Sequence, residues 1–304
     1  MEVLQAYTTA TTSFPRALRT APLSTGPEPP RYTRAAMKIL GLLNSDVNAG
    51  DAEIPRQDLF PARMQQALAK TLGEDVEVDA RNVWPTPRLP PLVAGWMGEF
   101  EPDLVVFSVT AFWFLYESTP VRLDRRLGWP GKAAGKLSRE AAARPWLAHN
   151  RAFQWSRRAT RNAVGGEAWF TPEQVIDISQ KVILATLRRE SAYTVVFGPS
   201  GGEKWARDES HLRELVARRR RVDAAMSAFC RAHHVEYWDE AKLASITDPR
   251  ARSLQGDDLH LDREGHKRLA EHQFGLALGM VNRALEHSRG GRPGAPEHIT
   301  ARTP

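Results

Sequence analysis

Near its C-terminal end the 304-residue chain reads Asp257-Asp258-Leu259-His260-Leu261-Asp262-Arg263-Glu264-Gly265-His266. An Asp three residues ahead of a His, at the lip of a helix, can accept a proton from one imidazole nitrogen. The other nitrogen is then free to act as a general base toward a cleft. A second polar cluster, Asn44-Ser45-Asp46-Val47-Asn48-Ala49-Gly50, follows the first apolar run. Ser45 is a hydroxyl that a base could turn into a nucleophile, and Asp46 is a carboxylate that could attack directly or work as a base. Each cluster also has a plain structural reading. Ser45 and Asp46 could cap a turn, and Asp257 or Asp258 could cap the last helix with His260 on the surface.

These clusters are useful only if the fold brings them together, and the apolar patterning suggests how. Five short β-type runs are predicted at Lys38–Leu43, Asp75–Ala80, Asp103–Val109, Tyr193–Gly198 and Val235–Trp238. Asp103–Val109 is continuously apolar, as a central strand covered on both faces must be, and Val235–Trp238 is short enough for an edge. Amphipathic helices are predicted at Gln57–Leu72, Thr171–Arg189, Glu209–Ala232 and Asp262–His287, the second opening on a Thr cap with Pro at the first helical position. Strands alternating with helices of this length predict an α/β fold. Its expected form is a three-layer α/β/α sandwich with a five-stranded, mostly parallel sheet. Loops leaving the strand C-termini then converge on one rim.

The Asp257–His266 block, with its helix at the end of an α/β chain, resembles the last signature block of the SGNH/GDSL hydrolase superfamily, D-G-L-H-P-x-x-x-G-H. The resemblance spans roughly residues 37–287 and implies the SGNH, flavodoxin-like sandwich and an ester or acyl hydrolase. His260 would be general base, Asp257 its orienting carboxylate, and the turn after strand one would hold the nucleophile. The family's first block, G-D-S-x-[ST]-x-G, is matched by Leu43–Gly50 with Ser and Asp exchanged, so an ungapped reading puts Asp46 at the nucleophile position. A one-residue slip restores Ser45. Asp46 would suit displacement at an alkyl carbon or epoxide, whereas Ser45 would suit ordinary acyl transfer. The oxyanion-hole blocks depart further: Arg81-Asn82-Val83-Trp84 has no Gly, and Thr110-Ala111-Phe112-Trp113 puts Phe112 where the family keeps Asn. Losing one such donor typically costs about 10²–10³ in kcat. The expected substrate contacts are Asn44, Asn48, Asn82, Thr110, Phe112 and Trp113. The alternative is a catalytically lapsed binding or scaffold protein on the same fold.

Charge is concentrated in one stretch. Between Val121 and Phe170 eleven Lys or Arg stand against three acids, a local +8 against +6 for the whole chain, together with Trp129, Trp146, Trp155 and Trp169. Residues 118–170 are therefore expected to be a basic, Trp-rich helical insert. It would form either a lid that receives an anionic or carrier-bound small-molecule substrate, or a solvated hairpin. No nucleic-acid signature accompanies it, so nucleic acid is an unfavoured partner. Neither G-x-G-x-x-G nor a Walker sequence occurs and no metal-ligand spacing is evident, so no cofactor or metal is expected. Arg218–Arg221 read as an exposed helix face. Cys230 is the single cysteine, which excludes an internal disulfide; it is expected as a small buried thiol, with His233 and His234 at the helix end. With no signal-like apolar segment and no membrane span, a cytoplasmic location is expected. Residues 1–36 are expected to be a disordered leader, with Met37 as an alternative start, and 288–304 a flexible tail.

Overall fold

A computed structural model describes residues 36–44, 54–127, 155, 159, 165–239 and 261–290. Five strands form one sheet: β1 (Met37–Leu43), β2 (Val76–Asn82), β3 (Leu104–Ser108), β6 (Tyr193–Phe197) and β7 (Glu236–Trp238), in the order β2-β1-β3-β6-β7. Every neighbouring pair is parallel. The chain winds outward from β1 to β2 and then in the opposite direction through β3, β6 and β7. The switch point therefore lies between β1 and β3, and the crevice beyond their C-terminal ends is where such sheets hold ligands. The short strand read as an edge is indeed at the edge.

Strand alternation sorts the side chains onto two faces. Met37, Ile39, Leu104, Val106 and Val195 point to one layer, made by α1 (Phe60–Leu72) and α7 (Arg263–Gly290). Leu40, Leu42, Val105, Phe107 and Val196 point to the other. That second layer is made by α2 (Leu89–Phe100), α5 (Pro172–Leu187) and α6 (Glu209–Ala232). Local chemistry sets the helix ends. Gly73 closes α1 in the left-handed conformation at φ 66°, where a Cβ would be strained. Thr171 and Gln174 form a reciprocal capping box at the start of α5. Asp208 accepts the His211 backbone N–H at the start of α6. On α5, Val175, Ile178, Val182 and Ala185 are all buried, as their spacing predicts. Thr194 and Thr186, both in the core, satisfy each other, and the Thr186 hydroxyl donates on to the Ile183 carbonyl.

Three features differ from expectation. Helix α2 reads poorly in sequence because Pro90, Pro91, Gly95 and Gly98 mask its pattern; the prolines sit in its first turn, where no N–H bond is lost. Arg219 is not on an exposed face: it is 7% exposed and donates to the Gly201 carbonyl, with Glu203 as its ion-pair partner. The insert has a structured foot. After the short helix α3 (Phe112–Leu115), β4 (Glu117–Ser118) pairs antiparallel with β5 (Glu167–Ala168), so its two ends leave the body side by side. Helix α4 (Thr119–Leu127) begins the excursion. Among the described residues no helix is long and apolar enough to cross a membrane. Residues 1–35 of the leader and 291–304 of the tail lie outside them, as do residues 128–154, 156–158 and 160–164 of the insert.

Candidate active site

The rim beyond the strand C-termini holds three of the sequence candidates that are described. Asn44 is half-buried directly after β1, and Asn82 closes β2 in register with Leu43. The Val83 N–H donates to the Leu43 carbonyl at 2.9 Å, extending the pairing past both strand ends. Thr110 is half-buried beyond β3. Ser45, Asp46, Asn48, Asp257 and His260 lie outside the described residues.

Their flanking residues are described, and contacts tie them together. Asp58, which follows β1 in the chain, is buried in a 3-10 turn (Arg56–Asp58) that leads into α1. Its carboxylate pairs with Arg63 at 2.5 Å and with Arg263, in the first turn of α7, at 2.7 Å. The Phe60 N–H donates to His266 Nδ1 at 3.2 Å, and His266 is 1% exposed. Leu261, bonded to His260, is also 1% exposed, and Asp262 caps α7 by accepting the Gly265 N–H at 2.7 Å. The Asp-Arg-Glu-Gly-His half of the last motif is thus a docking device. Arg263 and His266 hold the start of α7 on the start of α1.

The third block is occupied by aromatic rings. Phe112 stacks on Tyr116 (4.7 Å between centroids, 16° between planes) and meets Trp84 and Trp205 edge-on at 6.1 and 5.8 Å. Trp84 in turn meets Trp169 and Phe170. These residues come from the segments after β2, β3 and β6 and from the end of the insert, and all are half-buried. At the position that the sequence resemblance gives to a side-chain amide, the rim presents an aromatic hub. Trp113, expected as a substrate contact, is instead 2% exposed in the core beneath it. Trp84 and Trp205 were not among the expected contacts. The signal that could have found them is an aromatic residue two, four and eight positions past the ends of β2, β3 and β6.

The chain matches no family model and no curated protein. Among solved structures it is similar to TesA, at 12% identity and a TM-score of 0.46, over 80% of this chain and 99% of that one. It is also similar to the psychrotrophic esterase EstA from Pseudoalteromonas sp. (9% identity, TM-score 0.46, 81% and 98% covered) and to the lipase/acylhydrolase from Enterococcus faecalis (16%, 0.42, 80% and 96%). The fold assignment rests on strand order and layering, which stand without these similarities.

Two further polar groups lie on this side of the sheet. Glu117, at the foot of the insert, and His211, in the first turn of α6, form a buried carboxylate–histidine pair at 3.2 Å. The Arg207 backbone N–H donates to His211 Nδ1, which puts the ring proton on Nε2 facing Glu117. Both ring nitrogens are committed, so this pair is a clamp rather than a base. Arg207 and Arg218 approach the same carboxylate at 3.5 and 3.7 Å. Beyond β6, Gly198 is held by the Tyr237–Asp223 hydrogen bond (2.6 Å): a Cβ there would lie 2.2 Å from the Tyr237 hydroxyl. Burial, chiefly, pushes the Tyr237 phenol well above its usual range, with the hydrogen bond to Asp223 adding to it, so it remains a neutral donor. No group of three or more His, Cys, Asp or Glu able to hold a metal occurs among the described residues.

Proposed function

We propose that this protein is a hydrolase of SGNH type, acting on an ester, acyl or comparable electrophilic group of a small molecule. His260 acts as general base, Asp257 orients it, and the nucleophile sits on the Ser45–Asp46 turn. The observation that carries this reading is the double tie by which the second half of the last motif, through Arg263 and His266, meets Asp58 and Phe60, which follow the first block in the chain. It sets the start of α7 against the start of α1, and this supports the reading in which the two blocks are neighbours. The aromatic hub at Phe112 favours Asp46 over Ser45. Displacement at a saturated carbon develops no tetrahedral oxyanion in its first step, so that step needs no donor where Phe112 stands. In that route the Asp46 carboxylate attacks the carbon and its leaving group departs. Water deprotonated by His260 then attacks the carboxyl carbon of the resulting Asp46 ester, releasing the alcohol.

Two experiments test this. Turnover in ¹⁸O-water followed by mass spectrometry is expected to place label in the Asp46 carboxylate, whereas fluorophosphonate labelling of Ser45 would establish the serine route instead. His260→Ala and Asp257→Asn are expected to abolish or strongly reduce turnover. Unchanged turnover in both would place the chemistry on other residues, and a protein without turnover to begin with would be a binding scaffold on the same fold. The foot of the insert, which opens beside the aromatic hub, supports a role for its basic stretch in receiving an anionic or carrier-bound substrate.

A further inference from the structure

On the outer face of the other layer, where α2 and α5 pack on each other, lies an open groove of about 400 Å³. That is within the range of ligand pockets, about 300–1,000 Å³. One wall is Pro87, Pro90 and Pro91, at the start of α2, and the other is Lys181, Leu184 and Arg188 on α5. Ala94 and Ala185 also line it, and their small side chains leave the space between the walls open. Among the described residues three large hydrophobic side chains are exposed, Leu92, Trp155 and Leu184. Two of the three stand here, Leu184 in the groove wall and Leu92 next to Pro91 in the chain.

Charge and backbone chemistry narrow what the groove can hold. Lys181 and Arg188 are seven residues apart on α5, roughly 10 Å at ~1.5 Å per residue, with Leu184 between them. Lys181 keeps Asp177 as a partner at 2.7 Å. Arg188, and Arg88 beside Pro87, are exposed, and their guanidinium groups pair with no described residue. An apolar seat beside unpaired cations suits an apolar residue flanked by acids. The walls also decide the form of that ligand. Both are helices whose interior N–H and C=O groups are already bonded, and Pro90 and Pro91 have no N–H to offer. An extended peptide laid there would give up its main-chain bonds to water and gain none. A helix arrives with its own bonds made.

We propose that this groove is a docking site for an acidic amphipathic helix of a partner protein. Acids at positions i and i+7 of that helix meet Lys181 and Arg188, and an apolar residue at i+3 or i+4 enters the groove beside Leu184. That spacing on one face of the partner matches the cation–leucine–cation order of α5. The groove is on the outside of its layer and uses none of the residues assigned to turnover, so the proposal is independent of the hydrolase reading.

The test is fluorescence anisotropy of a labelled peptide titrated with the full chain. Short helices are marginal in water, so the peptide, about eighteen residues long, is held helical by side-chain staples. It carries Glu at i and i+7 with Leu at i+3 and i+4. Saturable binding is expected, about tenfold tighter than that of the same stapled peptide with Lys for Glu, and weaker as salt rises. Leu184→Asp and Arg188→Glu are each expected to weaken binding about fivefold or more. Both side chains are exposed, so melting temperatures are expected to change little, which separates a lost contact from misfolding. No saturable binding, equal binding of the Glu and Lys peptides, or binding unaffected by both substitutions would overturn the proposal. So would equal binding of an unstapled peptide broken by a central Pro, because an extended segment would then suffice. Sedimentation velocity addresses a second copy of the chain as occupant. Sedimentation unchanged by Leu184→Asp is expected, whereas a dimer that this substitution dissociates would give the face to self-association instead.

Discussion

The two layers that sandwich the sheet solve the same packing problem differently. On the α2/α5/α6 side the inner face is filled by Leu40, Leu42, Val105, Phe107 and Val196, and α5 answers with Val175, Val182 and Ile183 at 0% exposure. On the α1/α7 side Gly41, Ala80 and Ala277 interrupt the same kind of wall and leave a cavity. Both sides are apolar and flank the same five strands, so hydrophobicity alone does not decide whether a layer is solid. Side-chain size across the three elements that line the cavity does.

The sharpest way to break this comparison is to truncate each face. Phe107→Ala, on the solid side, is expected to cost about 3–5 kcal/mol, because a rigid surround cannot collapse into the space. Met64→Ala lines the existing cavity, so it loses fewer contacts and is expected at the low end of the large-to-small range, about 2 kcal/mol. Urea unfolding of both variants reads the difference; equal losses would mean that the two layers are packed alike. Next in size, Glu117→Gln is expected to cost about 1.5–3 kcal/mol, since it removes the charged acceptor of His211 from a buried site beside Arg207 and Arg218. The same unfolding measurement checks it.

The solid side also predicts a pH response. Burial pushes the Cys230 thiol up from its usual 9 to about 12, and on the other face burial and the hydrogen bond to Glu236 push Tyr193 from 10 to about 12. Both groups have folded values above their unfolded ones, so the neutral forms favour the fold. Their contribution is complete below about pH 9 and is lost as pH rises toward 12. Melting temperature is therefore expected to fall over that interval. At pH 8, Cys230 is expected to react with a disulfide reagent about a thousandfold more slowly than a free thiol. The smallest effects lie on the outer surfaces, where the faces are expected to be indistinguishable. Lys181→Ala on α5 and Arg268→Ala on α7 each remove an exposed i,i+4 ion pair and are expected to cost about 0.3–0.5 kcal/mol.

Much of this architecture is legible without coordinates because its signals are local. The five strands, the Thr171 cap, the Gly73 stop and the whole of Glu209–Ala232 follow from neighbours within a turn or two. Helix α2 is hidden because its prolines and glycines carry helix-breaking propensities that only its packing on the sheet overrides. Arg219 reads as surface because one basic run looks uniform, yet its partners Gly201 and Glu203 arrive from a loop sixteen and more residues away. Glu117 and His211 are 94 residues apart, and no spacing rule could have joined them.

By itself the sequence determined the five strands of the main sheet and the helices α1, α5, α6 and α7, that the strands run parallel, and that a carboxylate–histidine motif precedes the last helix. Periodicity, capping and turn chemistry are read within a few residues, so they are written in the chain. Only the tertiary structure decided that His266 and Arg263 dock on Phe60 and Asp58, that Phe112 is the centre of an aromatic hub, and that Gly41, Ala80 and Ala277 line one cavity. Each of those depends on side chains from distant segments meeting in space, a matter of register and crossover that local free energies do not encode.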